Sequence, residues 1–251
     1  RKGYVKMGQH TSLSNKIWMD IARSHVIINT GKRGSGKSYT LGALAEGLSN
    51  LPEEESKNIA PLIFDTMGIF WTMKYKNEKD KDLLDQWELK PKNLPLKVFI
   101  PFGKTHEYEE KGIPFDETFA IKPYQLNADS WITLFNFSPT SLHAVLIHQV
   151  ISGLQSLEKD FTIKEIKQII HHDTGSSKET KEISSALFSA AETWGIFSQT
   201  AGGTEISDLV TPGTTSVLDI SVYSSASSFN VRALVISLIT QQLFKSRLDA
   251  R

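Results

Sequence analysis

Residues 25–40 read HVIINTGKRGSGKSYT. Within them, Gly31-Lys32-Arg33-Gly34-Ser35-Gly36-Lys37-Ser38 fits GxxxxGK followed by Ser or Thr at every fixed position. Val26-Ile27-Ile28 reads as a short buried strand, and Tyr39 to Leu48 reads as a helix. Strand, glycine-rich loop and helix in that order are the context this pattern needs. The glycines let the backbone turn tightly and aim its N–H groups at phosphate oxygens. The helix N-terminus adds favourable dipole charge. In such a loop Lys37 reaches the β- and γ-phosphates of ATP and the Ser38 hydroxyl ligates Mg²⁺. The run Gly31 to Tyr39 is therefore the candidate nucleotide-binding stretch, with Lys37 in the catalytic role. It predicts nucleotide binding without saying what the energy is used for.

Composition sets the frame. A chain of 251 residues has room for one large domain or a core with an inserted subdomain. Lys plus Arg equals Asp plus Glu, 28 each, so no overall field favours DNA or membranes, and only a local basic patch could. There are no cysteines, which excludes disulfides, thiolate metal sites and a cysteine nucleophile. No signal peptide is evident, and no uninterrupted apolar run approaches ~18 residues. The expectation is a soluble, cytoplasmic protein. His171-His172-Asp173 suggests a metal site, but adjacent side chains on a helix diverge, which favours a solvated helix end.

The start of the chain to Asn15 is polar and without clear period, and residues 16–21 read as a strand entering the core. After the first helix, Asn50-Leu51-Pro52 is a stop. Ile59 to Asp65 is an apolar run ending in aspartate, the pattern of a parallel strand whose C-terminal end faces a ligand crevice. Two roles are open to Asp65: orienting Mg²⁺ or water near the γ-phosphate, or holding the following turn by accepting backbone N–H bonds. Lys74 to Asp85 is dense in charge and reads as surface. Leu96 to Pro101 is a short strand, Gly103 to Asn127 is an irregular excursion, and Ala120 to Lys122 is a possible small strand.

The period then changes. Thr140–Leu157, Thr162–His171 and Glu179–Phe197 repeat apolar residues at spacings near three and four, which predicts three amphipathic helices. In the second the apolar face runs through Ile163, Ile166, Ile169 and Ile170, and in the third through Ile183, Leu187, Ala190, Ala191 and Trp194. Thr214 to Ser221 is another strand, and Asn230 to Ala250 is a helix whose first half is apolar nearly all round. The fold class is α/β. The expected layout is the first part of a nucleotide-binding core at residues 1–76 and an insertion at 77–205, with a helical bundle at about 140–197. The core returns at 206–251.

A phosphate loop works with a second strand ending in aspartate, commonly followed by glutamate. Asp219 and Asp65 each end a strand, and neither has a glutamate in the next few residues. Taken together, GKRGSGKSYTLG, PLIFDTMGIFW, the helical insertion and the 211–244 stretch resemble the HerA-type ATPases. That group also holds the FtsK and VirB4 translocases and has a RecA-like fold. The resemblance implies a hexameric ring threading double-stranded DNA, with ATP and Mg²⁺ bound between subunits. It also implies a role beside a NurA-type nuclease in DNA end processing. It carries the phosphate and metal roles to Lys37 and Ser38, and the place of the family's aspartate after the second strand to Asp65. Ile69 stands near where relatives often have glutamate. By the same comparison, Asp219 belongs to the strand before the true Walker B strand, and the chain reads as partial. The competing class is a nucleotide-binding assembly module with little or no hydrolysis.

Overall fold

The computed structural model describes residues 3–7, 10–17, 19–20, 23, 25–86, 88–200, 202–224 and 229–249. Strands β1 (Gly3–Met7) and β2 (His10–Ile17) form an antiparallel pair separate from the main sheet. Of the expected strand at 16–21, residues 16 and 17 lie in β2, and Trp18 and Ile21 fall outside the described residues.

Helices α1 (Lys37–Ser49) and α2 (Glu53–Ser56) precede β3 (Leu62–Asp65). A helical turn at Phe70–Lys74, α3 (Lys81–Gln86) and β4 (Leu96–Pro101) follow. After a turn at Phe102–Lys104 come α4 (Thr105–Glu110) and β5 (Glu117–Phe119). The helical region is α5 (Ala128–Leu134), α6 (Leu142–Gln155), α7 (Ile163–His172) and α8 (Lys178–Thr193). The chain returns through α9 (Ile206–Leu209), β6 (Thr215–Asp219), a turn at Ser221–Tyr223 and α10 (Phe229–Asp249).

The main sheet is all parallel, in the order β3-β6-β4-β5. Every residue of the interior strand β6 is buried, as expected of a parallel strand covered on both faces. Alternation divides the sheet's side chains between two cores. Phe99 and Leu218 face the helical region and α10, while Ile63, Val98, Ile100 and Val217 face Ala45 of α1, Phe70 and Tyr108. The stretch 77–205, read as an insertion, thus supplies β4 and β5 to the sheet as well as the helices packed on it.

Two expectations are corrected. Val26-Ile27-Ile28 is not a buried strand: it forms no ladder, and Val26 and Ile28 are 92% and 80% exposed. An apolar run becomes a sheet strand only where a neighbour takes its N–H and C=O groups. Among the described residues none does, and β3 is paired only on its β6 side. The buried face of α8 is also turned from the expected one. It runs through Thr180, Ser184, Phe188 and Ala191, leaving Ile183 40% exposed. Phe188 decides this, because its ring meets Trp131 at 4.9 Å and Phe135 at 5.0 Å, and a buried aromatic outweighs a half-buried isoleucine.

Candidate functional site

The phosphate-loop pattern is built as an open arch. Gly34 and Gly36 have φ of 79° and 86°, the left-handed region that glycine enters without strain. A side-chain carbon at either would meet nothing within 4 Å, so backbone conformation, and not crowding, calls for glycine there. Ser35 N–H donates to Lys32 O at 3.2 Å and closes the turn. The Lys37 ammonium folds back beneath the arch, donating to Gly31 O at 2.7 Å and Lys32 O at 2.8 Å. Asn29 Nδ2 donates to the Lys37 carbonyl at 3.0 Å.

Helix α1 starts at this loop with Gly36 as its N-cap. No side chain caps it, and its first turn carries no acid. Its first N–H groups and positive dipole end stand where an anion would sit. Lys32, Arg33, Ser35, Ser38 and Tyr39 are exposed around it. These residues fit a nucleotide polyphosphate: cationic Lys and Arg side chains, an uncapped helix end, and the Ser38 hydroxyl available for a divalent ion.

Asp65 lies elsewhere in kind. It is fully buried and its two oxygens accept four backbone N–H groups. Met67 and Gly68 donate to Oδ1 at 3.0 and 2.8 Å, and Ile69 and Phe70 donate to Oδ2, both at 2.8 Å. These are the bonds of the turn-holding role. Among the described residues no hydrogen bond or ion pair joins Asp65 to the Gly31–Tyr39 loop. The connection runs through packing: Phe70 and Ala45 share a core, and Met73 lies under Gly42 of α1.

Asp219 is the in-register neighbour of Asp65 across β3 and β6 and is equally buried. Tyr108 hydroxyl donates to its Oδ1 at 2.9 Å and to its carbonyl at 3.1 Å, and Ser221 N–H donates to Oδ1 at 2.9 Å. Oδ2 has no hydrogen-bond partner among the described residues. Burial pushes the Asp219 carboxyl above the usual carboxylate range and the charge of Asp65 adds to this, while the hydrogen bonds from Ser221 and Tyr108 oppose it. Burial, then the nearby Asp219, pushes the Tyr108 hydroxyl up. Tyr108 was not legible as a partner, because it sits in the irregular 103–127 excursion, 111 residues from Asp219.

Lys74, after β3, is half-buried and paired with Asp116, whose Oδ2 also accepts Val98 N–H at 2.7 Å. His171-His172-Asp173 ends α7: His172 Nδ1 bonds Gln168 O at 2.7 Å, and Lys181 Nζ donates to Asp173 O at 2.8 Å. No group of three metal-ligating side chains occurs among the described residues, and no helix among them is long and apolar enough to cross a membrane.

The chain matches the family described as helicase HerA, central domain, over residues 6–243. No curated protein matches it. Because the family match covers nearly the whole chain, the chain belongs to that family. Its all-parallel sheet flanked by helices agrees with a RecA-like P-loop core. Domains of the family are HerA/FtsK-type ATPases that are generally oligomeric and bind DNA.

Proposed function

We propose that this HerA-family chain is the ATP-binding part of an ATP-driven double-stranded DNA translocase. In this reading it works as a hexameric ring in the cytoplasm, beside a NurA-type nuclease in DNA end processing. The observation that carries the reading is the bare N-terminus of α1 above the glycine arch with Lys37 folded beneath it.

Gly31 to Tyr39 hold the polyphosphate through backbone N–H groups. Lys37, now on the Gly31 and Lys32 carbonyls, would hold phosphate oxygens, and the Ser38 hydroxyl would hold Mg²⁺. Bound ATP supplies the phosphoryl bond whose cleavage drives movement. Asp65 acts through its turn: four N–H bonds fix the 65–70 backbone that leads to Phe70 and Met73 under α1. Neither Asp65, whose oxygens are taken up by its turn, nor Ile69 offers a carboxylate to activate water.

That last point favours a second reading, a nucleotide-binding assembly module without turnover. ATPase assays with and without duplex DNA separate the two. The translocase reading expects DNA-stimulated turnover by the intact oligomer, abolished by Lys37→Ala together with γ-phosphate affinity. Nucleotide binding with no turnover in either condition selects the assembly module. Wild-type affinity and turnover in Lys37→Ala would overturn the site itself.

A further inference from the structure

The chain leaves the helical region through Trp194-Gly195-Ile196, and three consecutive carbonyls of this exit are held from three places. Trp194 O accepts the Tyr223 hydroxyl at 2.8 Å. Gly195 O accepts Gly103 N–H at 2.9 Å, and Ile196 O accepts Ile121 N–H at 2.8 Å. The donors lie just past the C-terminal ends of β6, β4 and β5, the end where open parallel sheets receive ligands. The chain then stays stitched to the sheet, with Ser198 N–H on Ile121 O at 2.8 Å and Thr204 N–H on Ala120 O at 2.9 Å.

The middle of this joint has no slack. A side-chain carbon on Gly103 would lie 2.6 Å from Gly195 Cα, and one on Gly195 would lie 2.9 Å from Gly103 Cα. Gly195 also has φ of 68°. Tyr223 is buried, and the Trp194 ring packs on Phe135 and Phe197. The other end of the joint is bonded to the Asp65 turn. Ile220 N–H donates to Asp65 O at 2.9 Å, Tyr223 N–H donates to Ile220 O at 3.2 Å, and a side-chain carbon on Gly68 would lie 2.6 Å from Ser221 Oγ. Close-packed elements joined this way move together and do not deform independently.

We propose that the 194–196 exit is the joint through which a change at the Asp65 turn reaches the α5–α8 helices, with Tyr223 as its positioning residue. This rests on the nucleotide-binding reading, with the packing of Phe70 with Ala45 and of Met73 against Gly42 linking α1 to the turn. A displacement of the 65–70 backbone carries Ile220 to Tyr223 with it, and the Tyr223 hydroxyl carries the Trp194 carbonyl. Coupling of this kind is a free energy shared between two sites, so it is measurable as a response at one to a ligand at the other.

Hydrogen exchange on the full chain, with and without Mg²⁺ and a non-hydrolysable ATP analogue, tests it. The expected result is a nucleotide-dependent change in peptides from α1 and also in those from α7 and α8. In Tyr223→Phe the α1 response and the analogue's affinity persist while the α7–α8 response is lost. Gly153→Ala, placed on α6 where an added carbon meets nothing within 4 Å, keeps both responses. A wild type that responds at α1 but not at α7–α8 overturns the joint without any variant. A Tyr223→Phe protein that still transmits the response overturns the role of the hydroxyl. Absence of any response at α1 removes the nucleotide reading, and the joint with it.

Discussion

Helices α1 and α8 have similar lengths, 13 and 16 residues, and opposite ends. Helix α8 opens on Ser177, whose hydroxyl accepts Thr180 N–H at 3.1 Å. Its neighbours are capped alike, α5 by Asn127, α6 by Ser141 and α7 by a Thr162–Glu165 capping box. Helix α1 opens on glycine with no cap and buries only Ala45, whereas α6 buries Ala144, Leu146, Ile147, Val150, Ile151 and Leu154. Where a helix end serves folding, a side chain satisfies its N–H groups. In the nucleotide-binding reading the same groups of α1 are left bare for phosphate, and Gly36 stands where a cap would be. The difference separates the well-capped, well-buried helices α5 to α8 from a first helix that is bare at its start and barely buried.

The largest expected effect tests burial. Phe188→Ala, in the aromatic cluster with Trp131 and Phe135, should cost about 3–5 kcal/mol of unfolding free energy. Ile28→Ala, beside the phosphate loop, should stay within about 0.5 kcal/mol. Denaturant titration of both variants measures the contrast, and comparable losses would mean that residues 26–28 are packed in solution. Next comes capping. Ser177→Ala should cost about 1 kcal/mol and leave nucleotide affinity untouched. An affinity loss from that substitution would break the division between folding and ligand-binding helix ends.

The smallest effect is one of slope and lies between the two regions, at Asp219. Its folded-state pKa is raised, so its stabilising contribution is complete below the unfolded value of about 3.9 and is lost as pH rises through the folded pKa. Asp219→Asn does not titrate, so its stability profile should lack that decline. Thermal unfolding across acid to alkaline pH compares them. Parallel profiles for the two proteins would assign the decline to another group.

Much of the helical region was legible because its period is local. The spacing of Ile163, Ile166 and Ile170 gives α7 its buried face, although Ile169, expected on that face, is 40% exposed. The rotation of α8 was not legible, since Ile183 and Phe188 both suit a buried face and only Trp131, far away in sequence, chooses between them. Leu96 to Pro101 and Thr215 to Asp219 read correctly as strands because central parallel strands are apolar on both sides. Val26 to Ile28 has the same composition and forms none, since a strand is made by its neighbour's hydrogen bonds and not by its own side chains.

The sequence alone determined the glycine turn of residues 31–38, because glycine at Gly34 and Gly36 is a local requirement of a left-handed backbone. It also placed the four main-sheet strands to within a few residues, except that β5 lay just before the expected 120–122, and the three longer helices of the bundle. Only the tertiary structure decided what the two aspartates do. Asp65 and Asp219 each end an apolar strand, and nothing local tells them apart. Register sets them side by side, four N–H groups close over one, and Tyr108 with Ser221 binds only one oxygen of the other. The meeting of Gly103 with Gly195 was likewise invisible in the chain, because close backbone approach depends on which distant segment arrives there.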